Sequence, residues 1–225
     1  MVVDESVLVG DSTVGTYVCT ARATVTEKLV CLCGAGVSEK LILCKESDNL
    51  NCCGTCLRNR LGNILRSLAG AGEEKARQQM HQASTMAGMA FSQAGLGLCH
   101  AMAHALGGAF HIPHGRLNAI LLPAVVSYNA RFAGEKYARL AGQAGLGSSA
   151  QTLAVRNLKN GLIRLRRELN MPQTLSQAGV TPRQVRALET EILRATLADP
   201  CCATNPMPPQ DHHVRRILNE VMGRG

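Results

Sequence analysis

Four of the seven histidines of this 225-residue chain lie within residues 97–115, which read GLCHAMAHALGGAFHIPHG. His100 and His104 are four residues apart, a spacing that places both side chains on one face of an α-helix. The glycines at 107 and 108 are expected to end this helix. The stretch therefore predicts a buried, small-residue helix that presents two imidazoles on the same side.

Two imidazoles at this spacing can chelate one metal ion, as in the HExxH pattern, although the second position here is Ala101 rather than glutamate. Alternatively, one histidine binds metal while the other is a proton relay or a group that orients the ligand. A third interpretation is a set of hydrogen-bonded core histidines.

His114 follows Pro113 and precedes Gly115. Proline restricts the backbone and glycine lets it pass close to other groups, so His114 is held in place as a ligand or a base must be. His111 has no such setting and is left out of the candidate site.

The chain changes in character near residue 57. Residues 58–225 show helical spacing of apolar side chains, and aromatic residues make up only 3% of the chain, with no tryptophan. The pattern predicts a mostly α-helical protein whose core is built from Ala, Leu, Val, Ile and Met.

Two local features of residues 58–225 lead to further predictions. Pro123 lies inside a predicted helix and implies a kink or a break. An apolar stripe at spacings of three and four runs from 155 to 169, and Arg156, Lys159 and Arg166 are expected to face away from it.

Two more helices follow in the last quarter of the chain. Thr181 is expected to cap one of them, with a proline at its first position, and Val185, Leu188, Ile192 and Ala195 to form its apolar face. Residues 199–209 form a predicted proline-rich loop, and Asp211 is expected to cap a final helix that ends near residue 223.

Residues 1–57 lack both helical period and strict alternation. They hold seven of the ten cysteines: Cys19, Cys31, Cys33, Cys44, Cys52, Cys53 and Cys56. The pairs Cys31–Cys33 and Cys53–Cys56 could together form a zinc site, although one residue rather than two separates the cysteines of the first pair. Scattered free thiols are the simpler interpretation.

The net charge of +8 is uneven, with −3 in residues 1–57 (seven acids, four bases) and +11 in the rest (nine acids, twenty bases). The arginines are dispersed and no aromatic side chains interleave with them, so we expect solvated helix faces and no nucleic-acid partner. Neither a signal peptide nor a membrane-spanning apolar run is present, which predicts a cytoplasmic protein without a membrane partner.

The stretch GLGLCHAMAHALGGAFHIPHGRLNAILLP closely resembles the second signature of the iron-containing (group III) alcohol dehydrogenases, GxxHxxAHxxGxxxxxPHG. It is most similar to members of the ethanolamine and propanediol utilisation type. The resemblance runs from about residue 58 to the carboxyl terminus. It implies the helical metal-binding domain of this dehydroquinate synthase-like fold.

The resemblance also implies roles for individual residues. His100 and His114 match metal ligands, His104 matches a neighbouring active-site histidine for which a proton-relay role is expected, and Phe91 matches an aromatic side chain lining the cofactor cleft. Cys99 is expected to be a packing residue. The implied cofactors are a divalent metal, iron or zinc, and NAD or NADP, with a small alcohol or aldehyde as substrate.

The chain departs from the family upstream of His100. The family's other two ligands form an Asp-x-x-x-His pair, which does not occur in this part of the sequence, and the glycine-rich nucleotide-binding turn is also absent. We hypothesise that residues 1–57 are an atypical segment, either read in a shifted frame or partly disordered, and that the chain is a truncated or degenerate member.

Three functions follow from these observations. The first is an NAD(P)-linked, metal-dependent alcohol–aldehyde oxidoreductase. Whether this chain is active by itself is a separate question. The second is a non-catalytic remnant or interaction module that forms a homo-oligomer or joins a full-length paralogue. The third is a small zinc-binding protein that uses the amino-terminal cysteines.

Overall fold

A computed structural model of the protein describes residues 95–223. It contains five α-helices and one 3-10 helix: α1 (Leu98–Phe110), α2 (His114–Gln143), α3 (Gln151–Glu168), α4 (Pro182–Ala198), the 3-10 helix η1 (Pro200–Thr204) and α5 (Asp211–Met222). No strand occurs between residues 95 and 223, in agreement with the predicted helical class. None of these helices is long and apolar enough to cross a membrane.

Several sequence predictions lie outside the described residues. These are the atypical segment 1–57 with its cysteine pairs, the helices expected between residues 58 and 94, and Phe91.

The central element is α2, which packs against α1, α3 and α5, while α1 also contacts α4 and η1. The core consists mainly of Leu, Val, Ala, Ile and Met side chains, as the composition predicted. Two tyrosines, Tyr128 and Tyr137, are buried with them. Packing through small side chains lets α1 lie close to α2, and this proximity brings the histidines of the two helices together.

The helix α1 extends further than predicted. It continues through Gly107 and Gly108 to Phe110, because neither glycine adopts a left-handed conformation. The chain reverses instead at His111, which has φ of 54° and whose N–H donates to the Gly107 carbonyl at 2.9 Å. His111 is exposed and ends the helix.

Pro123 does not break α2, which is one helix from His114 to Gln143. A proline has no N–H, so the carbonyl four residues earlier, that of Ala119, loses its helical donor. Arg166 replaces that donor: its Nη1 donates to the Ala119 carbonyl at 2.9 Å and to the Ile120 carbonyl at 3.3 Å.

The expectation that Arg166 faces away from the core is therefore wrong. Arg166 is buried, whereas Arg156 is exposed and Lys159 forms an ion pair with Glu220 at 3.2 Å. Helical spacing could not reveal this, since the carbonyls that Arg166 satisfies belong to a different helix.

The two last helices follow the prediction with small corrections. Thr181 caps α4, as expected, and Gln184 completes a capping box with it. Ala195 is exposed, and the buried face of α4 at this end uses Leu193 and Thr196 instead. The cap of α5 is Gln210 rather than Asp211, which is the first helical residue.

Candidate metal centre

Three of the four clustered histidines meet where α1 and α2 join. The ring centroids of His100 and His114 are 5.3 Å apart, those of His104 and His114 are 5.0 Å apart, and those of His100 and His104 are 6.4 Å apart. His100 and His104 lie one turn apart on α1, and the reversal at His111 places His114 at the first position of α2. The fourth histidine, His111, is the residue at which the chain reverses.

His100 is the most deeply buried of the three, at 4% exposure. Its Nδ1 is buried without a hydrogen-bond partner. Burial, followed by the charges that His114 and His104 would carry, lowers the pKa of His100 from 6.5 to about 3. The imidazole is therefore neutral near pH 7 and presents a buried nitrogen whose bonding capacity is unused.

His114 is held by Asn118, one turn further along α2. The Asn118 side-chain amide donates to Nε2 of His114 at 2.8 Å. Burial and the nearby His104 lower the pKa of His114 to about 4, so this ring is neutral as well.

Asn118 was not identified from the sequence. It is fully buried, and the Cys99 thiol donates to its Oδ1 at 3.4 Å, which fixes which end of the amide faces His114. Cys99 is thus buried, as expected of a packing residue, and it also orients a neighbour of the site. The only sequence signal for Asn118 is its position four residues after His114 on one helix.

His104 differs from the other two histidines because its side chain is 45% exposed. Its Nδ1 donates to Oδ2 of Asp199 at 2.8 Å. This bond joins α1 to the short segment between α4 and η1 and fixes the ring's orientation.

Asp199 is the second site residue that sequence reasoning missed, because it lies 95 residues from His104. Its other oxygen, Oδ1, accepts the backbone N–H of Cys201 at 2.8 Å and caps η1. Partial burial by itself raises the pKa of Asp199, but the hydrogen bonds from Cys201 and His104 outweigh burial and lower it. The carboxylate is thus ionised beside His104.

The η1 segment is fixed in place by Asn205. Its Oδ1 accepts the N–H of Leu98 at the start of α1 at 3.1 Å, and it exchanges two amide hydrogen bonds with Asn129 of α2. These hydrogen bonds attach the segment that carries Asp199 to the beginning of α1, the helix that carries His104.

The donors of this site fit a divalent metal. Neutral imidazole is a common ligand of iron and zinc, and the unpartnered nitrogen of His100 is a buried polar atom that a metal would satisfy. His100 and His114 would be two of its ligands. A catalytic metal site normally has three or more protein ligands, so the pair makes half of one.

Comparison with known proteins gives a family. The sequence model for the Fe-containing alcohol dehydrogenase family, C-terminal, matches residues 49–222. This match begins nine residues before the boundary expected at residue 58, which remains a prediction.

Individual proteins agree with the family match. The chain is 38% identical over 150 residues to the NADPH-dependent butanol dehydrogenase of Clostridium saccharobutylicum, covering 67% of this chain and 39% of the relative. It is 43% identical over 150 residues to the 1-propanol dehydrogenase of Salmonella typhimurium, covering 65% of this chain and 40% of the relative. The chain thus spans about two-fifths of the length of these relatives.

A solved structure of 1,3-propanediol oxidoreductase is similar with a TM-score of 0.78 and 29% identity, over 89% of this chain and 52% of that one. A structure of maleylacetate reductase from Rhizobium, at 21% identity and a TM-score of 0.69, shares the fold.

Proposed function

The chain belongs to the iron-containing alcohol dehydrogenase family, and on that premise we propose that it provides the helical metal domain of an NAD(P)-linked oxidoreductase for primary alcohols and aldehydes. Its relatives are named as dehydrogenases of butanol and 1-propanol. We infer the same substrate class, a small alcohol or aldehyde, for this chain.

The observation that carries the proposal is the pair of neutral imidazoles whose ring centroids are 5.3 Å apart. His100 and His114 come from two helices, both have lowered pKa values, and the buried Nδ1 of His100 lacks a partner. Both residues would hold the metal, His114 by exchanging the Asn118 hydrogen bond at its Nε2 for the metal. When bound, a divalent metal acts as a Lewis acid that polarises a carbonyl oxygen and lowers the pKa of an alcohol.

His104 and Asp199 supply the proton-handling part of the site. Because Asp199 accepts from Nδ1 of His104, the other ring nitrogen, Nε2, is left to exchange a proton with a substrate or water. The 45% exposure of this side chain allows that exchange. In this proposal His104 is a proton relay and Asp199 a positioning residue.

The remaining parts of the enzyme would come from elsewhere. The Asp-x-x-x-His ligand pair and the glycine-rich nucleotide turn do not occur upstream of His100 in this sequence. We propose that a full-length paralogue, which carries these parts, completes the site through the helical surface.

Metal analysis with an alcohol oxidation assay tests the proposal. The full chain is loaded with Fe²⁺ or Zn²⁺, and bound metal is measured together with NAD(P)⁺-linked oxidation of 1-propanol. His100→Ala and His114→Ala should each remove the metal bound at this site, whereas His111→Asn, a change at an exposed histidine whose left-handed backbone conformation asparagine tolerates, should not. Unchanged metal content in both site variants would contradict the ligand assignment.

The other candidate functions give different results in the same experiment. A folded protein with neither metal nor turnover indicates an interaction module. Metal that is lost on replacement of Cys31 or Cys56, and retained in His100→Ala, indicates a cysteine-ligated zinc protein.

A further inference from the structure

We propose that His104, Asp199 and Cys201 form a second metal site, which takes a zinc-class divalent cation and shares no ligand with the His100–His114 pair. One potential ligand atom from each of the three side chains lies within 4.8 Å of the other two. Among residues 95–223, no other group of three His, Cys, Asp or Glu side chains meets this condition. The proposal does not depend on the proposed function.

The geometry is close to that of a coordinated ion. Zinc binds sulfur at about 2.3 Å and nitrogen or oxygen at about 2.0–2.2 Å, so tetrahedral ligand atoms lie roughly 3.4–3.8 Å apart. The observed atoms fall within 4.8 Å, and the closest pair, Nδ1 of His104 and Oδ2 of Asp199, is 2.8 Å apart. Small rotations of partly exposed side chains bring the three onto one centre.

Hydrogen bonds hold the backbone segments that carry these three side chains. Asp199 and Cys201 are two residues apart at the start of η1, where the Cys201 N–H bonds to Asp199. His104 lies on α1, and Asn205 connects the end of η1 to the beginning of α1 through the N–H of Leu98. Pre-positioned ligands on fixed elements lose little conformational entropy when the ion binds.

The ligand chemistry selects the ion. A thiolate and an imidazole prefer zinc or a similar soft cation, whereas Mg²⁺ and Ca²⁺ prefer oxygen ligands. The carboxylate of Asp199 and the thiolate of Cys201 together balance the double positive charge. Three protein ligands also leave one coordination position for water, as in open zinc sites.

The proton balance of binding is simple. In the metal-free protein, burial and the adjacent Asp199 carboxylate raise the pKa of the Cys201 thiol to about 12, so it is protonated. The cation displaces that proton to solvent and forms a metal–sulfur bond, while the ligating nitrogen of His104 loses its hydrogen to the other ring nitrogen. One proton is released for each ion bound.

This second site is distinct from the first one in its surroundings. The His104 ring stacks on His114 at 5.0 Å, yet its side chain is 45% exposed and faces Asp199, while His100 is buried. A cation here replaces the hydrogen bond between His104 and Asp199. Metal binding and proton relay at His104 are therefore alternative states.

Cobalt(II) is the probe that separates the two sites, because a thiolate ligand gives a sulfur-to-cobalt charge-transfer absorption in the near ultraviolet and an imidazole ligand does not. The full chain is titrated with Co²⁺ as wild type, Cys201→Ser and Cys202→Ser. Cys202 is the matched control, since its buried thiol donates to the Thr196 carbonyl. We expect Cys201→Ser to lose the absorption that corresponds to one Co²⁺ per chain, and Cys202→Ser to retain it.

The amino-terminal cysteines require a second background, in which all seven are replaced by serine. There the absorption should saturate at one Co²⁺ per chain, persist in His100→Ala, and require at least about tenfold more Co²⁺ in Asp199→Asn or His104→Gln. Circular dichroism confirms that each variant is folded.

Three results would overturn the proposal. They are no charge-transfer absorption in this background, absorption that survives Cys201→Ser, and absorption that disappears in His100→Ala. Cobalt that binds without the absorption and is lost in His100→Ala shows the first site alone. The second site then fails while the proposed function stands.

Discussion

The candidate site has a buried half and an exposed half, which differ in charge and in the exposure of the histidine that each takes from α1. His100, His114 and Asn118 form the buried half, in which both imidazoles have lowered pKa values and Asn118 is fully enclosed. His104, Asp199 and Cys201 form the second half, called the exposed half after the exposed side chain of His104; Asp199 and Cys201 are partly buried, and the Asp199 carboxylate is ionised. The buried half is suited to neutral ligation, and the exposed half is suited to the exchange of protons and ions with solvent.

The difference arises from position along α1. His100 lies in the first turn, where it is buried, whereas His104 lies one turn later, opposite the segment that leads from α4 to η1. Two histidines on the same helix face thus meet different dielectric surroundings. Burial, rather than residue type, separates their chemistry.

The largest effect on stability is expected from Arg166, which donates hydrogen bonds to α2, the helix that carries His114 and Asn118. Arg166→Met leaves the carbonyls of Ala119 and Ile120 without this donor, and it should lower the free energy of unfolding by about 2–4 kcal/mol. Urea denaturation measures the change. The exposed neighbour offers a matched control, since Arg167→Met should change stability by less than about 0.5 kcal/mol.

Pro123→Ala provides the sharper test of this explanation. Alanine restores the N–H that the Ala119 carbonyl lacks, so Arg166→Met should cost at least about 1 kcal/mol less in that background. Equal costs in the two backgrounds would show that Arg166 acts in some other way.

A smaller effect is expected from Asn118, which holds His114 within the buried half. Asn118→Ala should strengthen metal binding at His100 and His114 by about 5- to 10-fold, because the Asn118 amide occupies the only lone-pair nitrogen of the neutral His114 ring and a metal must displace it. Metal titration in a background in which Cys201 and the seven amino-terminal cysteines are replaced by serine isolates this site. Asn160→Ala, the same change at an exposed position of α3, is the control and should leave affinity unchanged.

The buried half should also make stability depend on pH. The pKa values of His100 and His114 are about 3 and about 4 in the folded state, against 6.5 as the ordinary value. The unfolded chain therefore binds more protons below pH 6.5, and stability falls as the pH decreases from 6.5 toward 4. The slope is at most about 1.4 kcal/mol per pH unit for each histidine.

Urea unfolding at pH 7, 6 and 5 in the presence of a chelator measures this slope. His100→Gln should make it shallower, while His111→Asn, at an exposed position whose left-handed backbone conformation asparagine tolerates, should leave it as in the wild type. A slope that His100→Gln does not alter would place the pH dependence outside the buried half.

The smallest effect on stability is expected from a substitution in the exposed half. Asp199→Asn should lower the free energy of unfolding by less than about 1 kcal/mol, since a partly exposed ion pair contributes little. It should, however, change the balance of the two His104 ring tautomers, which ¹⁵N NMR detects. An unchanged tautomer ratio would contradict the positioning role of Asp199.

Much of the helical architecture could be predicted from local patterns. The capping box at Thr181 and Gln184 and the stripe of α3 follow rules that connect residues three or four apart. Corrections occurred where a helix end depends on backbone conformation: α1 passes both glycines and stops at His111, and α5 is capped one residue before Asp211.

The partners of the site residues could not be predicted in the same way. Asp199 meets His104 across 95 residues of sequence, and Arg166 reaches the Ala119 carbonyl across 47. Such contacts depend on how the helices pack, and a single sequence contains no periodic signal for them. Arg166 even lies in a pattern that predicts exposure.

The sequence by itself determined the helical class, the family and the three histidines as candidates, because helix periodicity and a short, specific motif are local properties. Only the tertiary structure decided which histidine is buried, that Asp199 faces His104, and that Asn118 orients His114. Burial and long-range hydrogen bonds set pKa values and ring orientation, and both exist only once distant segments are packed together.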